Sequence, residues 1–547
     1  MEDTDLTQDQ KSDAPRPERG QEDQATRSSN IVTVLVLVSR ITGFFRTSAQ
    51  AWALGAFGLA SAYTVANNLP NLLYEFVAGG MLITAFLPVY ISVRKRLGKE
   101  GASAYAANLL SIVTLLMAVV TVLSVIFAVP IVWTQSAGAS EGFDSGLAVW
   151  FFRWFAVEIV LYALSSLYSG VLNAERDYIA SNVAPIFNNL IVIASFAAYV
   201  YLSRRGMDMA ALVSLAIGNP LGVLVQVLIQ VPSLRRHGIR LTPHVDFHDP
   251  ALKDTLTVGL PTLVVTLISA PTAAVTSSAA LSVTPSGASI AYYARVWYVL
   301  PYSLFAIPIS VTLFTELSDT YVKGALDDFK GYLAQGMRRI FFTLIPFMLY
   351  LIVFSPCLIA VLARSFSAEE TLQTTRYLQA LALALPFYGL MSYVQKVCAS
   401  MMRMSFFTIA TVVGSVLQVV ICVFCTPLWG LLVVPISSVF FYGSIDLVVL
   451  LHVRKAIGSI GLGTVVRPAL HALALGAAGS LVGWAIVQGL TLALGPCVGI
   501  VRGVLYAMAG GIPAVLVTFG LAIRLGVSEA PFFDALFARA HALVGRG

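Results

Sequence analysis

The chain has 547 residues, of which 58% are hydrophobic and only 11% charged, with a formal net charge of +6. Soluble domains are about 45–50% apolar and about 25% charged. The composition therefore excludes a soluble globular enzyme, a disordered chain and a nucleic-acid binder, and leaves an all-α integral membrane protein of many spans. The charge is also uneven. Met1–Ser29 holds eight Asp/Glu and four Lys/Arg, so this segment is −4 and the remaining 518 residues carry +10. It has no apolar run and is no signal peptide. It cannot bury enough surface to fold, so residues 1–29 read as a disordered cytoplasmic tail.

A helix crossing a bilayer needs about 20 mainly apolar residues. Fourteen stretches qualify, near 30–53, 59–92, 103–133, 147–173, 178–202, 208–232, 251–283, 287–316, 334–360, 377–401, 405–428, 430–452, 467–491 and 498–523. The second, third, seventh and eighth are long, and tilting or bending is expected of them. Prolines fall inside several spans, among them Pro70, Pro185, Pro261, Pro301 and Pro386. Such breaks are tolerated where protein or a wet cavity re-satisfies the freed backbone groups. The five cysteines lie in or beside apolar stretches and read as buried free thiols, with no disulfide framework. Gly479 and Gly483 form a GxxxG in the thirteenth span, a pattern that lets helices pack closely.

Lys and Arg in the loops set orientation. With the N-terminus inside, twenty Lys/Arg fall in the cytoplasmic loops and C-terminal tail, against five in the opposite loops. Both termini are expected in the cytoplasm. A faint internal repeat is also present. Leu69–Pro70 in the second span matches Leu300–Pro301 in the eighth, at an offset of 231. The chain reads as a parallel pseudo-repeat of two six-helix lobes, 30–232 and 251–455, joined by a cytoplasmic linker at 233–250. Two further spans occupy 456–525, and a cytoplasmic tail follows at 526–547.

Eight charges remain inside the spans: Arg40, Arg46, Arg153, Arg295, Lys396, Glu75, Glu158 and Asp446. Each costs at least about 2.5–3.5 kcal/mol at a bilayer centre, so each is a functional candidate. Lys396 and Arg153 lie near helix ends, where snorkelling accounts for them. Arg40 and Arg46 lie about 15 and 24 Å into the first span at ~1.5 Å per residue, and Arg295 about 12 Å into the eighth. By the repeat, the first, second, seventh and eighth spans line one cavity. It would hold Arg40, Arg46, Arg295 and Glu75. Guanidinium groups grip phosphate bidentately and keep their charge, so the expected ligand is an anion, phosphorylated for preference. Gly43, between the two arginines of the first span, allows a bend.

Ser39-Arg40-Ile41-Thr42-Gly43-Phe44-Phe45-Arg46 resembles the SR-x-x-G-x-x-R segment of the MurJ/MviN family. Leu69-Pro70-Asn71-Leu72-Leu73 is similar to that family's LPN segment, and Ala85-Phe86-Leu87-Pro88 to its AF-V/L-P. Tyr74-Glu75 followed by Gly79-Gly80 looks like a variant branch. The resemblance covers about 30–525 and implies the MOP exporter fold: two six-helix lobes around a cationic cavity, plus two helices that form a groove for a lipid tail. It implies a flippase of lipid II, the undecaprenyl-pyrophosphate-linked peptidoglycan precursor, in the bacterial cytoplasmic membrane. It adds Asn71 to the substrate-binding residues and points to Gly43, Pro70, Gly79, Gly80 and Pro301 as gating positions. Membrane lipids and cell-wall synthesis proteins are the implied partners. No cofactor is expected.

The chain departs from the family where acids are usual. Thr47 follows Arg46, Ser61 stands in place of an Asp, and Tyr292-Tyr293-Ala294-Arg295 lacks the usual Asp and Glu. A family-type sodium site is unsupported. Competing readings are a flippase of another lipid-linked oligosaccharide, a MATE-like exporter, a membrane-embedded glycan polymerase or phosphatase, and a scaffold that has lost transport. His244-x-Asp246-x-His248 in the linker has metal-like spacing but reads as a solvated loop, and no HExxH or nucleotide-binding GxxxxGK[ST] occurs. Without a nucleotide site, the expected energy source is the membrane potential.

Overall fold

The computed structural model describes residues 19–239, 243–527 and 529. Among these residues every regular element is helical. The first eight α-helices are α1 (Arg19–Leu54), α2 (Gly58–Tyr74), α3 (Gly80–Ile126), α4 (Ala128–Ser136), α5 (Ser145–Phe155), α6 (Glu158–Ala174), α7 (Tyr178–Ser203) and α8 (Asp208–Arg236). The next eight are α9 (Pro250–Val283), α10 (Gly287–Pro301), α11 (Ile307–Val322), α12 (Leu326–Leu362), α13 (Ala368–Ala382), α14 (Leu385–Ser400), α15 (Met404–Trp429) and α16 (Val433–Ile457). The hairpin α17 (Gly463–Leu494) and α18 (Ile500–Arg524) packs on α12.

The buried apolar side chains divide in the same way. Two clusters centred on Tyr63, Phe151, Phe155, Tyr90 and Leu167 hold the N-terminal helices together. A larger one around Tyr298, Leu333, Ile340, Tyr393 and Val449 holds α9–α16. The two halves are not independent. α9 packs along α3 and α4 as well as α15, so it straddles both lobes. The linker is strapped to α3: the Asn108 amide donates to the Asp246 carbonyl at 2.8 Å and to Asp249 Oδ2 at 3.2 Å. Beside it, Asp177 caps α7 and accepts from Ser233 and from His237 at 3.2 Å. Burial raises the pKa of this carboxyl, but the hydrogen bonds outweigh it and hold the group below its usual range.

Several sequence expectations shift. Among the described residues, nine helical stretches are long and apolar enough to cross a membrane, or eleven if each bent pair is one span, so the expected fourteen is not reached by this count. Two of those stretches, Ala85–Ile126 and Met404–Ile457, each contain a break at a positive-φ glycine, Gly98 and Gly430. The expected unfolded tail is helical from Arg19, and residues 1–18 lie outside the described residues. The helix α8 runs on to Arg236, which shortens the linker from the expected 233–250. Most of the 526–547 tail also lies outside the described residues. The long seventh span is one unbroken helix of 34 residues. The sharp bends fall in the fourth and tenth spans instead, 42° between α5 and α6 and 46° between α13 and α14. Pro386 at the start of α14 explains the second bend. The break before Glu158 contains neither Gly nor Pro, and nothing in the sequence marks it.

Close packing of the C-terminal hairpin has a clear cause. A Cβ on Gly483 would stand 2.5 Å from the Gly510 carbonyl and 2.5 Å from the Phe354 ring. Backbone cannot yield there, so Gly483→Val will destabilise the protein by about 1–3 kcal/mol, as overpacking does. Gly489, with open space around its Cβ position, is the control. Thermal unfolding in detergent will show a lowered midpoint for Gly483→Val and an unchanged one for Gly489→Ala.

Candidate functional site

The second and eighth spans are built alike. In each, a Leu-Pro pair is followed within one or two turns by a single π-helical turn: Glu75–Gly79 after Pro70, and Tyr302–Ala306 after Pro301. Single π-turns inside α-helices are frequent at functional sites. All four gating candidates of these spans, Pro70, Gly79, Gly80 and Pro301, sit at or beside the two turns. The helix α1, by contrast, continues through Gly43 without a break.

Between the lobes lie neighbouring cavities. The central one, ≈ 660 Å³, is lined by Asn71 and Glu75 from the second span and by Tyr292 and Arg295 from α10. Arg295 also lines a second cavity of ≈ 620 Å³, with Arg40, Gly43 and Thr47 of α1 on its other wall. The Arg295 side chain lies deep among protein atoms yet is exposed to the cavity space. Tyr298, Tyr377, Tyr388 and Tyr442 surround it. Those rings are themselves fixed by stacking, Tyr302 on Tyr388 at 4.0 Å and Tyr388 against Tyr442 at 4.8 Å. Among the described residues no carboxylate lies within ion-pair distance of Arg40 or Arg295. Glu75 instead accepts from the Asn71 amide at 3.0 Å.

Arg46 is placed differently from the expectation. It lines neither cavity and points into the N-lobe, where its Nη2 donates to Asn219 Oδ1 at 3.1 Å. Its electrostatic neighbours are Tyr63, Tyr162, Tyr292 and the fully buried Glu158. Arg153 is exposed, and Lys396 lies over the Phe314 ring at 5.4 Å. Asp446 is buried with neither oxygen hydrogen-bonded.

Sequence reasoning followed formal charges and missed the neutral polar lining. Asn68, Gln135, Thr276 and Gln418 all face the central cavity. The signal was present, since amides are costly inside otherwise apolar spans. A third cavity, ≈ 650 Å³ and almost wholly apolar, runs between α10, α12 and α18. Leu300 lines both this groove and the Arg40–Arg295 cavity, so the two adjoin at that side chain.

At the α1–α2 and α9–α10 loops the lobes are sealed together. The Tyr293 hydroxyl donates to the Gly55 carbonyl at 2.8 Å, Ser289 to the Ala56 carbonyl at 2.9 Å, and Ser365 to the Trp52 carbonyl at 2.7 Å. Ser61 donates to Ser289 at 3.2 Å. Gly55 holds φ 64°, and a Cβ there would stand 2.9 Å from the Ser365 carbonyl. The seal therefore uses neutral hydroxyls and backbone where the resembling family has an Asp.

Residues 50–494 match a family model described as lipid II flippase MurJ. The chain belongs to the lipid II flippase MurJ family. The match starts beyond Arg40 and Arg46, which it does not cover. A relative from Borreliella burgdorferi, named a probable lipid II flippase MurJ, is 25% identical over 407 residues, 73% of this chain and 78% of that protein. One from Burkholderia cenocepacia, named lipid II flippase MurJ, is 26% identical over 361 residues, 65% of this chain and 69% of its own length. Among solved structures, the inward closed conformation of lipid II flippase MurJ superposes with a TM-score of 0.70 at 20% identity, over 90% of this chain and 99% of that one. An inward-facing multidrug resistance MATE family transporter of the MOP superfamily gives 0.64 at 17% identity, over 78% of this chain and 98% of that one. The MurJ family fold is thus that of this multi-pass membrane protein.

Proposed function

We propose that this chain moves lipid II from the inner to the outer leaflet of a bacterial cytoplasmic membrane by alternating access. The observation that carries this reading is the shared wall at Leu300. On its two sides lie arginines for a pyrophosphate and an apolar groove for a polyprenyl tail. Arg40 and Arg295 face each other's cavity without a competing carboxylate, so both are available to an anion. The tyrosine and amide lining of the central cavity suits a saccharide headgroup. The cavity's arginines disfavour the MATE-like reading in which a cationic drug is the cargo, since that ligand wants buried carboxylates. Nothing in this role requires a bond to be made or broken, so the protein acts as a transporter.

In this cycle the seal between the lobes opens and the two π-turns take up the bending. Each neutral hydrogen bond is worth about 0.5–1.5 kcal/mol net, so the seal is weak enough for substrate binding to open it. Outward movement of the anionic headgroup is driven by the membrane potential, negative inside. The potential also draws the empty cationic cavity back inward. Cell-wall synthesis enzymes would supply and consume the cargo on the two sides. The direct test is whether the chain restores growth to cells depleted of their own lipid II flippase. Failure at normal expression and insertion would reject the reading.

Sidedness follows from the Lys/Arg distribution, with both termini and the linker cytoplasmic. Gly138 and Gly238 sit in suitable loops, but both hold positive φ, which strains a cysteine. The exposed neighbours Glu141 and Arg236 serve better. Glu141→Cys will react with an impermeant maleimide added to whole cells, and Arg236→Cys will react only after lysis. Labelling of Arg236→Cys in intact cells would overturn the topology.

A further inference from the structure

Two of the five cysteines meet. Cys357, on α12, is 2% exposed, and its side chain interacts with that of Cys497, half-buried in the loop joining α17 to α18. Both are free thiols here. The loop that carries Cys497 is held from both ends. The Tyr506 hydroxyl donates to the Gly495 carbonyl at 2.9 Å and to the Leu490 carbonyl at 3.1 Å. Arg502 donates to the Pro496 carbonyl at 3.4 Å. Gly495 and Gly499 bracket the loop in left-handed conformations, with φ 89° and 81°. On the other side, α18 is pressed against α12 at Cys357 itself, since a Cβ on Gly503 would stand 2.9 Å from the Cys357 carbonyl. The two thiols are therefore brought together by fixed backbone on both sides.

We propose that Cys357 and Cys497 are oxidised to a disulfide that ties the α17–α18 loop to α12. This rests on the proposed sidedness, which puts the loop on the outer face, where disulfides form and persist. The oxidant is a disulfide-bearing thiol oxidase of that compartment. The Cys497 thiolate, the more accessible of the two, attacks the carrier's disulfide and gives a mixed disulfide. The Cys357 thiolate then attacks Cys497 Sγ and releases the carrier. Two electrons and two protons leave the pair, and the carrier departs as a dithiol.

The bond would join the two walls of the apolar groove. Phe354, Leu358 and Val361 line it from the Cys357 side, and Val504 and Met508 line it from α18. It would keep α18 on α12 while the lobes move.

The full-length protein is expressed in bacteria with an oxidising outer compartment. Thiol exchange is quenched with acid, free thiols are then blocked with N-ethylmaleimide at neutral pH in denaturant, and the protein is reduced and treated with a polyethylene-glycol maleimide. The expected result is two added polymer chains that appear only after reduction, both lost in Cys357→Ser and in Cys497→Ser. Peptide mass spectrometry will find residues 357 and 497 linked before reduction. Glu141→Cys in the doubly substituted background, labelled from outside, runs in parallel. If both native thiols are blocked before reduction while Glu141→Cys labels, the disulfide is overturned and the topology stands. If both are blocked and Glu141→Cys does not label, the topology falls and takes the disulfide with it.

Discussion

Arg295→Ala will sharply slow flipping while leaving the amount of membrane-inserted protein nearly unchanged. Arg295 is the one arginine shared by the central cavity and the cavity that adjoins the groove. Hydrogen bonds to a charged group contribute about 1.5–3 kcal/mol, so losing one slows transport by about 10–150-fold. Arg295→Lys will rescue poorly, because a point charge lacks the planar fork that matches phosphate. Two other arginines supply the contrast. Arg153 is exposed and lines no cavity described here, so Arg153→Ala will be mild. Arg46 is bonded inside the N-lobe, so Arg46→Ala will lower thermal stability as well as activity, by leaving Asn219 and Glu158 without their cation. The measurement is growth rescue alongside immunoblotted protein level. Full rescue by Arg295→Ala, or a greater loss with Arg153→Ala, would show that the cavity is not the binding site.

Collapse of the membrane potential will stop export even when ATP is held constant. The pyrophosphate of the proposed cargo carries about two negative charges, and each is worth about 2.3 kcal/mol per 100 mV if it crosses the whole field. That supplies about 4–5 kcal/mol per 100 mV, enough to move the distribution between leaflets by more than a thousandfold. The sequence carries no nucleotide-binding loop to offer another source. Valinomycin in potassium buffer removes the potential, and exposure of lipid II at the outer leaflet is the readout. Undiminished export would return attention to the buried carboxylates Glu158 and Asp446 as proton sites.

The helical architecture was legible because hydrophobic runs report directly on burial. The repeat was legible from Leu69–Pro70 and Leu300–Pro301, and a π-turn follows each pair. Helix continuity was less legible. The positive-φ glycines Gly98 and Gly430 interrupt helical runs, whereas the bend before Glu158 arises from packing with no local residue to announce it. The misplacement of Arg46 was avoidable. At about 100° per residue, Arg40 and Arg46 point about 120° apart around the helix, so they favour different faces. Gly43 and Thr47 lie on the Arg40 face, and both line its cavity. The amide and tyrosine lining went unread because charge alone was followed. The thiol pair went unread because its members lie 140 positions apart in the chain.

The central claim is that this chain carries lipid II across the membrane through the Arg295 cavity. The most direct measurement uses cells depleted of their own flippase, with an impermeant lipid II-cleaving enzyme added from outside. With this chain expressed, the lipid II pool will be cut within minutes, and with Arg295→Ala it will stay intact. A pool that stays intact with the unaltered chain properly inserted, or one that is cut equally in Arg295→Ala, would contradict the account.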